Sequence, residues 1–190
     1  MRRLTSLLFV LLGFAGMFTA GAAEAAPYFA PTGSMTVARS APASAPLPNG
    51  GALVAGGISG GGIVNTAQVF NPASGTFSST GPMVDSRVSA AASQLPDGKI
   101  LVAGGVGDVP FPQSGYLAQT EIYDPSTESF SAYTPMPEPR ARMAAASLAD
   151  GRVMLFGGDG VGGVDLDSTV ILDPATGVWS AGPSMPEVMV

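Results

Sequence analysis

Apolar residues in this chain come in short bursts. ALVA (residues 52–55), KILVA (99–103) and RVMLF (152–156) are each entered through a turn and left through a glycine pair. Bursts this short, bounded by Gly, Pro, Asn and Asp, predict strands rather than helices. The entry turns hold Asn49-Gly50, Asp97-Gly98 and Asp150-Gly151, dipeptides that tolerate the positive φ angles of a tight hairpin. Before each turn lies an alanine-rich run, RSAPASAPL, RVSAAASQL or RARMAAASLA, which predicts a strand whose small side chains suit a crowded position. The exit pairs are Gly56-Gly57, Gly104-Gly105 and Gly157-Gly158, spaced 48 and 53 residues apart. After each pair, TAQVFNP, TEIYDP or STVILDP predicts a third strand ending at Phe70, Tyr123 or Leu172. TFSST, SFSAY or VWSAG then predicts a fourth, carrying Phe77, Phe130 or Trp179.

The turn between the last two strands opens on Asn-Pro or Asp-Pro and closes on Gly75 or Gly177. Its flanking ring-bearing positions can pair across the hairpin on one face. The middle copy carries Glu128 where the others have glycine, at an expected cost of ~1 kcal/mol where that backbone is left-handed. Each copy begins with a methionine and an arginine four residues later, Met35/Arg39, Met83/Arg87 and Met136/Arg140. From each arginine to the glycine of the next turn is eleven residues.

The glycine pair after a hydrophobic strand, the paired ring positions and a period near ~50 residues resemble the kelch repeat. The resemblance covers Phe29 to Met185, nearly the whole chain after its N-terminal segment. It implies an all-β fold of kelch-type β-propeller blades, four strands to a blade, distantly similar to the central domain of galactose oxidase. The expected blades are residues 36–83, 84–136 and 137–185. Residues 27–35 are expected to be an orphan fourth strand, because Phe29 precedes Met35 by the same six residues that separate Phe77 from Met83. Residues 186–190 align with the start of a further, truncated blade. Three readings of this count stand side by side: a longer propeller missing its C-terminal blades, self-assembly with further copies, and an open three-blade array.

Residues 1–26 have the layout of a secretory signal peptide: Arg2 and Arg3, an apolar run from Leu7, then small residues. Ala23-Glu24-Ala25 fits the cleavage rule, giving cleavage after Ala25 or Ala26 and a secreted or periplasmic product with no membrane span remaining. Removing Arg2, Arg3 and Glu24 moves the net charge from −6 to −7.

Composition narrows the chemistry. The chain has no Cys and no His. That excludes disulfides, thiolate metal sites and Cys nucleophiles, and removes the usual general base and the Ser-His-Asp triad. The resemblance extends to the galactose oxidase group and the sialic acid mutarotases. However, galactose-oxidase-type copper chemistry needs a Cys-crosslinked Tyr and His ligands, and this chain has neither. A pI near 4.3 with scattered basic residues provides no stripe for nucleic acid. No cofactor is expected. The leading expectation is a binding module for a protein or glycan partner, without catalysis of its own. The alternatives are a fragment of an exported carbohydrate-active kelch enzyme, oxidase-like or mutarotase-like, and a truncated gene remnant.

A propeller places its connections between strands two and three, residues 58–65, 106–119 and 159–168 here, on one side, where variable loops form the default binding surface. Arg39, Arg87 and Arg140 start their repeats on that side. They either ring a site for an anionic or sugar-like ligand or anchor the neighbouring blade through loop carbonyls. Asp159, Asp165 and Asp167 share one glycine-rich loop. They are either a Ca²⁺ site without the usual Asp-x-Asp-x-Asp-Gly spacing or a solvated acidic loop. Phe111 and Tyr116 are either sugar-stacking residues or a cover for the blade edge.

Overall fold

The computed structural model describes residues 31–108 and 115–186. Phe29, Phe111 and residues 187–190 lie outside them, and with them most of the expected orphan strand and the start of the truncated blade. None of the described residues is helical, and no helix there is long and apolar enough to cross a membrane.

The strands follow the repeat. The first copy forms β1 (Ala43–Pro46) and β2 (Ala52–Ala55), a small hairpin of β3 (Ile58–Ser59) and β4 (Gly62–Ile63), then β5 (Ala67–Asn71) and β6 (Thr76–Thr80). The second forms β7 (Ala91–Gln94), β8 (Ile100–Ala103), β9 (Thr120–Asp124) and β10 (Ser129–Tyr133). The third forms β11 (Ala144–Ser147) and β12 (Val153–Phe156), a hairpin of β13 (Asp159–Gly160) and β14 (Val164–Asp165), then β15 (Thr169–Asp173) and β16 (Val178–Ala181). Each copy makes one four-stranded antiparallel meander, with orders β1-β2-β5-β6, β7-β8-β9-β10 and β11-β12-β15-β16. These are blades 1, 2 and 3. The two small hairpins occupy connections expected as plain loops. In each, a pair of adjacent glycines at positive φ (Gly60-Gly61 and Gly162-Gly163) turns the chain back.

The entry turns differ in type from the expectation. Only the glycine of each dipeptide has a positive φ: 78° at Gly50, 83° at Gly98 and 87° at Gly151. Gly50 N donates to Leu47 O at 3.0 Å and Leu47 N to Gly51 O at 2.9 Å, so three residues close the turn with a left-handed glycine last. Asn49 contributes its side chain instead, accepting from Gly51 N at 2.9 Å. Asp97 and Asp150 do the same for Lys99 N and Arg152 N, each at 3.1 Å.

The second hairpin turn has the expected chemistry. Asn71, Asp124 and Asp173 each accept, through Oδ1, the amide two residues on at 2.9 Å. The closing position is left-handed in all three copies: 68° at Gly75, 71° at Gly177 and 53° at Glu128. Around it Phe70 pairs with Phe77 and Tyr123 with Phe130, with ring centroids 5.0 and 4.9 Å apart. In blade 3 the partner of Trp179 is the aliphatic Leu172.

The core lies between blades. Leu53, Ala55, Ala43 and Ala45 of blade 1 pack on Ile100, Val102 and Tyr123 of blade 2. Leu101, Ala103 and Ile122 of blade 2 pack on Val153, Leu155 and Leu172 of blade 3. All four residues of β8 are therefore buried, because blade 2 is covered on both faces. Polar bonds finish each seam. Thr80 Oγ1 lies 3.1 Å from the Tyr123 hydroxyl and donates to Glu128 O at 2.8 Å, and Trp179 Nε1 donates to Thr134 O at 3.0 Å.

Glu128→Gly keeps the backbone carbonyl that Thr80 uses and removes the side chain from left-handed backbone. It is expected to raise unfolding free energy by about 0.5–1 kcal/mol, read as a higher midpoint in urea denaturation. Gly75→Glu is expected to lower it by a similar amount.

Candidate functional site

The loop side of the blades is built on the three arginines. Arg87 Nη1 donates to Gly104 O and to Gln119 O, both at 2.9 Å, tying the exit of β8 to the approach of β9. Its Nη2 meets Glu121 Oε1 at 2.6 Å, and both side chains are buried. The Glu121 carboxylate also accepts Val84 N at 2.7 Å and Asp85 N at 3.1 Å, so it fixes the segment that leads into blade 2. Arg140 repeats the clamp on Gly157 O and Ser168 O at 3.4 and 3.2 Å, with Glu138 on its other nitrogen. Arg39 does the same on Gly56 O and Thr66 O at 2.8 and 2.7 Å, and burial holds its pKa below the usual arginine value.

The side chain of each arginine thus clamps its own blade. Its backbone carbonyl reaches the blade before it, accepting Gly57 N in the case of Arg87 (2.8 Å) and Gly105 N in the case of Arg140 (3.0 Å). This departs from both expectations. Arg87 and Arg140 have no exposed surface to offer a ligand, and the neighbouring blade is held by backbone rather than guanidinium.

Two residues after each arginine comes a non-glycine residue in left-handed backbone: Ala41 at φ 47°, Ser89 at 57° and Arg142 at 55°. Ser89 N donates to Ala41 O at 3.0 Å and Arg142 N to Ser89 O at 2.9 Å. The strained positions therefore form a chain of hydrogen bonds from blade to blade, and those bonds offset the conformational cost.

At this position blade 3 departs from its neighbours. The Arg142 side chain is 59% exposed and ion-paired through Nη1 with Asp159 Oδ2, whose side chain is 15% exposed. Asp159 occupies the place held by Ile58 in blade 1 and Val106 in blade 2, each bridged to the residue after its repeat's arginine. The Tyr116 hydroxyl, from the blade 2 connection, lies 3.4 Å from the same carboxylate oxygen. Hydrogen bonding to Asp159 first, and then to Tyr116, raises the pKa of Arg142 above the usual arginine value. A cation, a carboxylate and a phenol from two blades thus converge on the loop side, joined to one another and open to solvent.

The family model described as the kelch motif matches residues 87–137 and again residues 140–186, more than half of the chain. This chain belongs to the kelch-repeat family. No curated protein matches it. The matched segments are kelch blades 2 and 3, and blade 1 repeats their register strand for strand. Kelch blades are β-propeller units that serve as scaffolds for protein binding.

The other kelch loop residues are placed as follows. Asp165 pairs with Asp159 across the β13–β14 hairpin, and both Asp165 and Asp167 are exposed. Among the described residues no three ligating side chains converge. The Ca²⁺ reading of Asp159, Asp165 and Asp167 is thereby corrected, since the Asp159 carboxylate is engaged by Arg142. Tyr116 is half-buried, with its hydroxyl directed to Asp159. Sequence reading passed over Glu121 and Arg142. The signal for Glu121 was a carboxylate where the other copies have Gln68 and Val170. The signal for Arg142 was a charge where the other copies have Ala41 and Ser89.

Glu121→Ala leaves the buried Arg87 with only the half-exposed Asp85, 3.4 Å away, as counter-ion and two amides without an acceptor. The expected loss is about 3–5 kcal/mol of stability, measured by chemical denaturation.

Proposed function

We propose that this kelch chain is an exported binding module that takes a protein or glycan partner on its loop side, at Arg142, Asp159 and Tyr116. The observation that carries the reading is the break in repeat symmetry. The anchoring arginines recur in every blade because the fold needs them. The exposed ion pair occurs in blade 3 alone, at positions where Ala41, Ser89, Ile58 and Val106 serve the same backbone. Arg142 offers guanidinium donors, Asp159 an acceptor, and Tyr116 a ring with a polar edge. That set suits sugar hydroxyls or a polar peptide segment on a rigid scaffold. Export is supported by the charged, apolar and small-residue order of residues 1–26.

Binding is tested with the fluorescently labelled chain on a glycan array and against immobilised extracellular protein extracts. Arg142→Ala and Tyr116→Ala are each expected to weaken the interaction found by about tenfold, the equivalent of about 1.4 kcal/mol, with an unchanged circular dichroism spectrum. Binding that survives both substitutions undiminished places the partner elsewhere. Export predicts a mature N-terminus at Ala26 or Pro27, and N-terminal sequencing that returns Met1 from the exported fraction overturns it.

A further inference from the structure

The turns opposite the loop side hold a groove of their own. Between blades 2 and 3 a cavity of about 440 Å³ opens beside the turn of Leu95 to Lys99, and the turn after β15 bounds it from blade 3. Leu95 and Ile122, 7% and 8% exposed, form its floor. Tyr133, Pro96 and Pro174 form its walls, with Ala175 at the edge. The Tyr133 hydroxyl donates to Pro174 O at 3.4 Å, across the seam. Apolar surface in a recess is the form that small-ligand sites take, and the volume lies within their usual range of about 300–1,000 Å³.

The first seam is finished differently. There the buried ring of Tyr123 reaches across, and its hydroxyl meets Thr80. In the second seam the shorter Leu172 stands in place of Tyr123, and Tyr133 in place of Thr80. The rim differs as well. Lys99 Nζ lies 3.6 Å from Asp97 Oδ2 and 3.5 Å from Asp124 Oδ2, so two carboxylates share one cation and one negative charge is left over. Hydrogen bonds from Ser126, and then the charge of Lys99, hold the Asp124 carboxyl below the usual carboxylate range. At the first seam Asn49, Gly51 and Asn71 occupy the places of Asp97, Lys99 and Asp124, and none of them is charged.

We propose that this groove binds a small aromatic amine, its ring lodged against Leu95, Ile122 and Tyr133 and its ammonium group directed to Asp97. The apolar floor takes the ring, and the surplus negative charge of the rim selects the cation. The Tyr133 ring is a wall that a cation also tolerates well. A ligand carrying a carboxylate meets the surplus charge and is turned away, and the net charge of −6 on the chain acts in the same direction. The groove lies on the opposite side of the blades from Arg142, Asp159 and Tyr116, so either site stands without the other.

The test is a titration of the purified full chain at constant pH, followed through its amide chemical shifts by nuclear magnetic resonance. The probes are 2-phenylethylamine, 2-phenylethanol and 3-phenylpropionate, which share a ring and differ in charge. The amine is expected to bind with a dissociation constant of about 1 mM and to shift the amides of Lys99 and Ala175. The alcohol is expected to bind about fivefold more weakly, and the carboxylate not detectably. Asp97→Asn keeps the turn, since Asn49 accepts the equivalent amide in blade 1. It is expected to weaken the amine about fivefold and to leave the alcohol unchanged. Ala175→Trp lays a ring into the groove and is expected to abolish binding of both, with an unchanged circular dichroism spectrum. Equal binding of the three probes, an amine affinity untouched by Asp97→Asn, or binding that survives Ala175→Trp overturns the proposal. So does the absence of any shift up to about 10 mM amine.

Discussion

The structure depends on one close approach: the backbone carbonyl of each blade's first arginine against the glycine pair of the blade before. A Cβ built on Gly56 would fall onto Arg87 O, and one on Gly104 onto Arg140 O. Only glycine allows the carbonyl to come so near, and the second glycine of each pair then donates its amide to it. The same arginine turns its guanidinium inward and gathers the two ends of its own loop connection. One residue therefore fixes the blade internally through its side chain and externally through its backbone. Blade spacing, burial of the seam residues and the position of the loops all follow from that double grip.

Seams built this way are polar at the loop side and apolar through the middle, and the polar part carries the larger risk. Arg87 and Arg140 are fully buried, so each needs its carbonyls and its counter-charge. In blade 2 the counter-charge is the buried Glu121, which two amides also hold. Blade 3 uses the half-exposed Glu138. Blade 1 has the neutral Gln68, whose Nε2 bonds Thr36 while Arg39 remains partly exposed. The two fully buried arginines each have a carboxylate within reach, whereas the blade whose arginine is partly exposed has a neutral residue on strand three. A buried cation without a partner costs several kcal/mol, whereas a cation that keeps contact with water does not.

The blades were legible in the sequence because each of their turns has residue-specific chemistry repeated three times. Asn or Asp before Pro, and glycine at fixed offsets, leave few other folds. Glu128 shows how far that legibility reaches: its left-handed backbone followed from the glycines at the equivalent positions in blades 1 and 3. The left-handed residues Ala41, Ser89 and Arg142 were not legible, because nothing in their identities marks the conformation. They hold it through hydrogen bonds to the next blade, a tertiary cause that no local pattern records. The turn type at Asn49 was misread for the opposite reason. The residue tolerates positive φ, but here its side chain is better used accepting Gly51 N.

The candidate site was half legible, and the division has a physical basis. The arginines stood out in sequence because they recur, and they recur because each blade needs its clamp, which makes recurrence a sign of architecture. Tyr116 and Asp159 were singled out for the loops they occupy, but their partnership was hidden, since the residue that joins them, Arg142, lies in another segment and next to a structural arginine. A repeat scaffold satisfies its packing with the residues that its copies share. A charged pair that appears in one copy, is half open to water and stands where the other copies have Ala41, Ser89, Ile58 and Val106 adds nothing the other blades require. In a protein of this kind, the place to look for binding is where one repeat stops resembling the others.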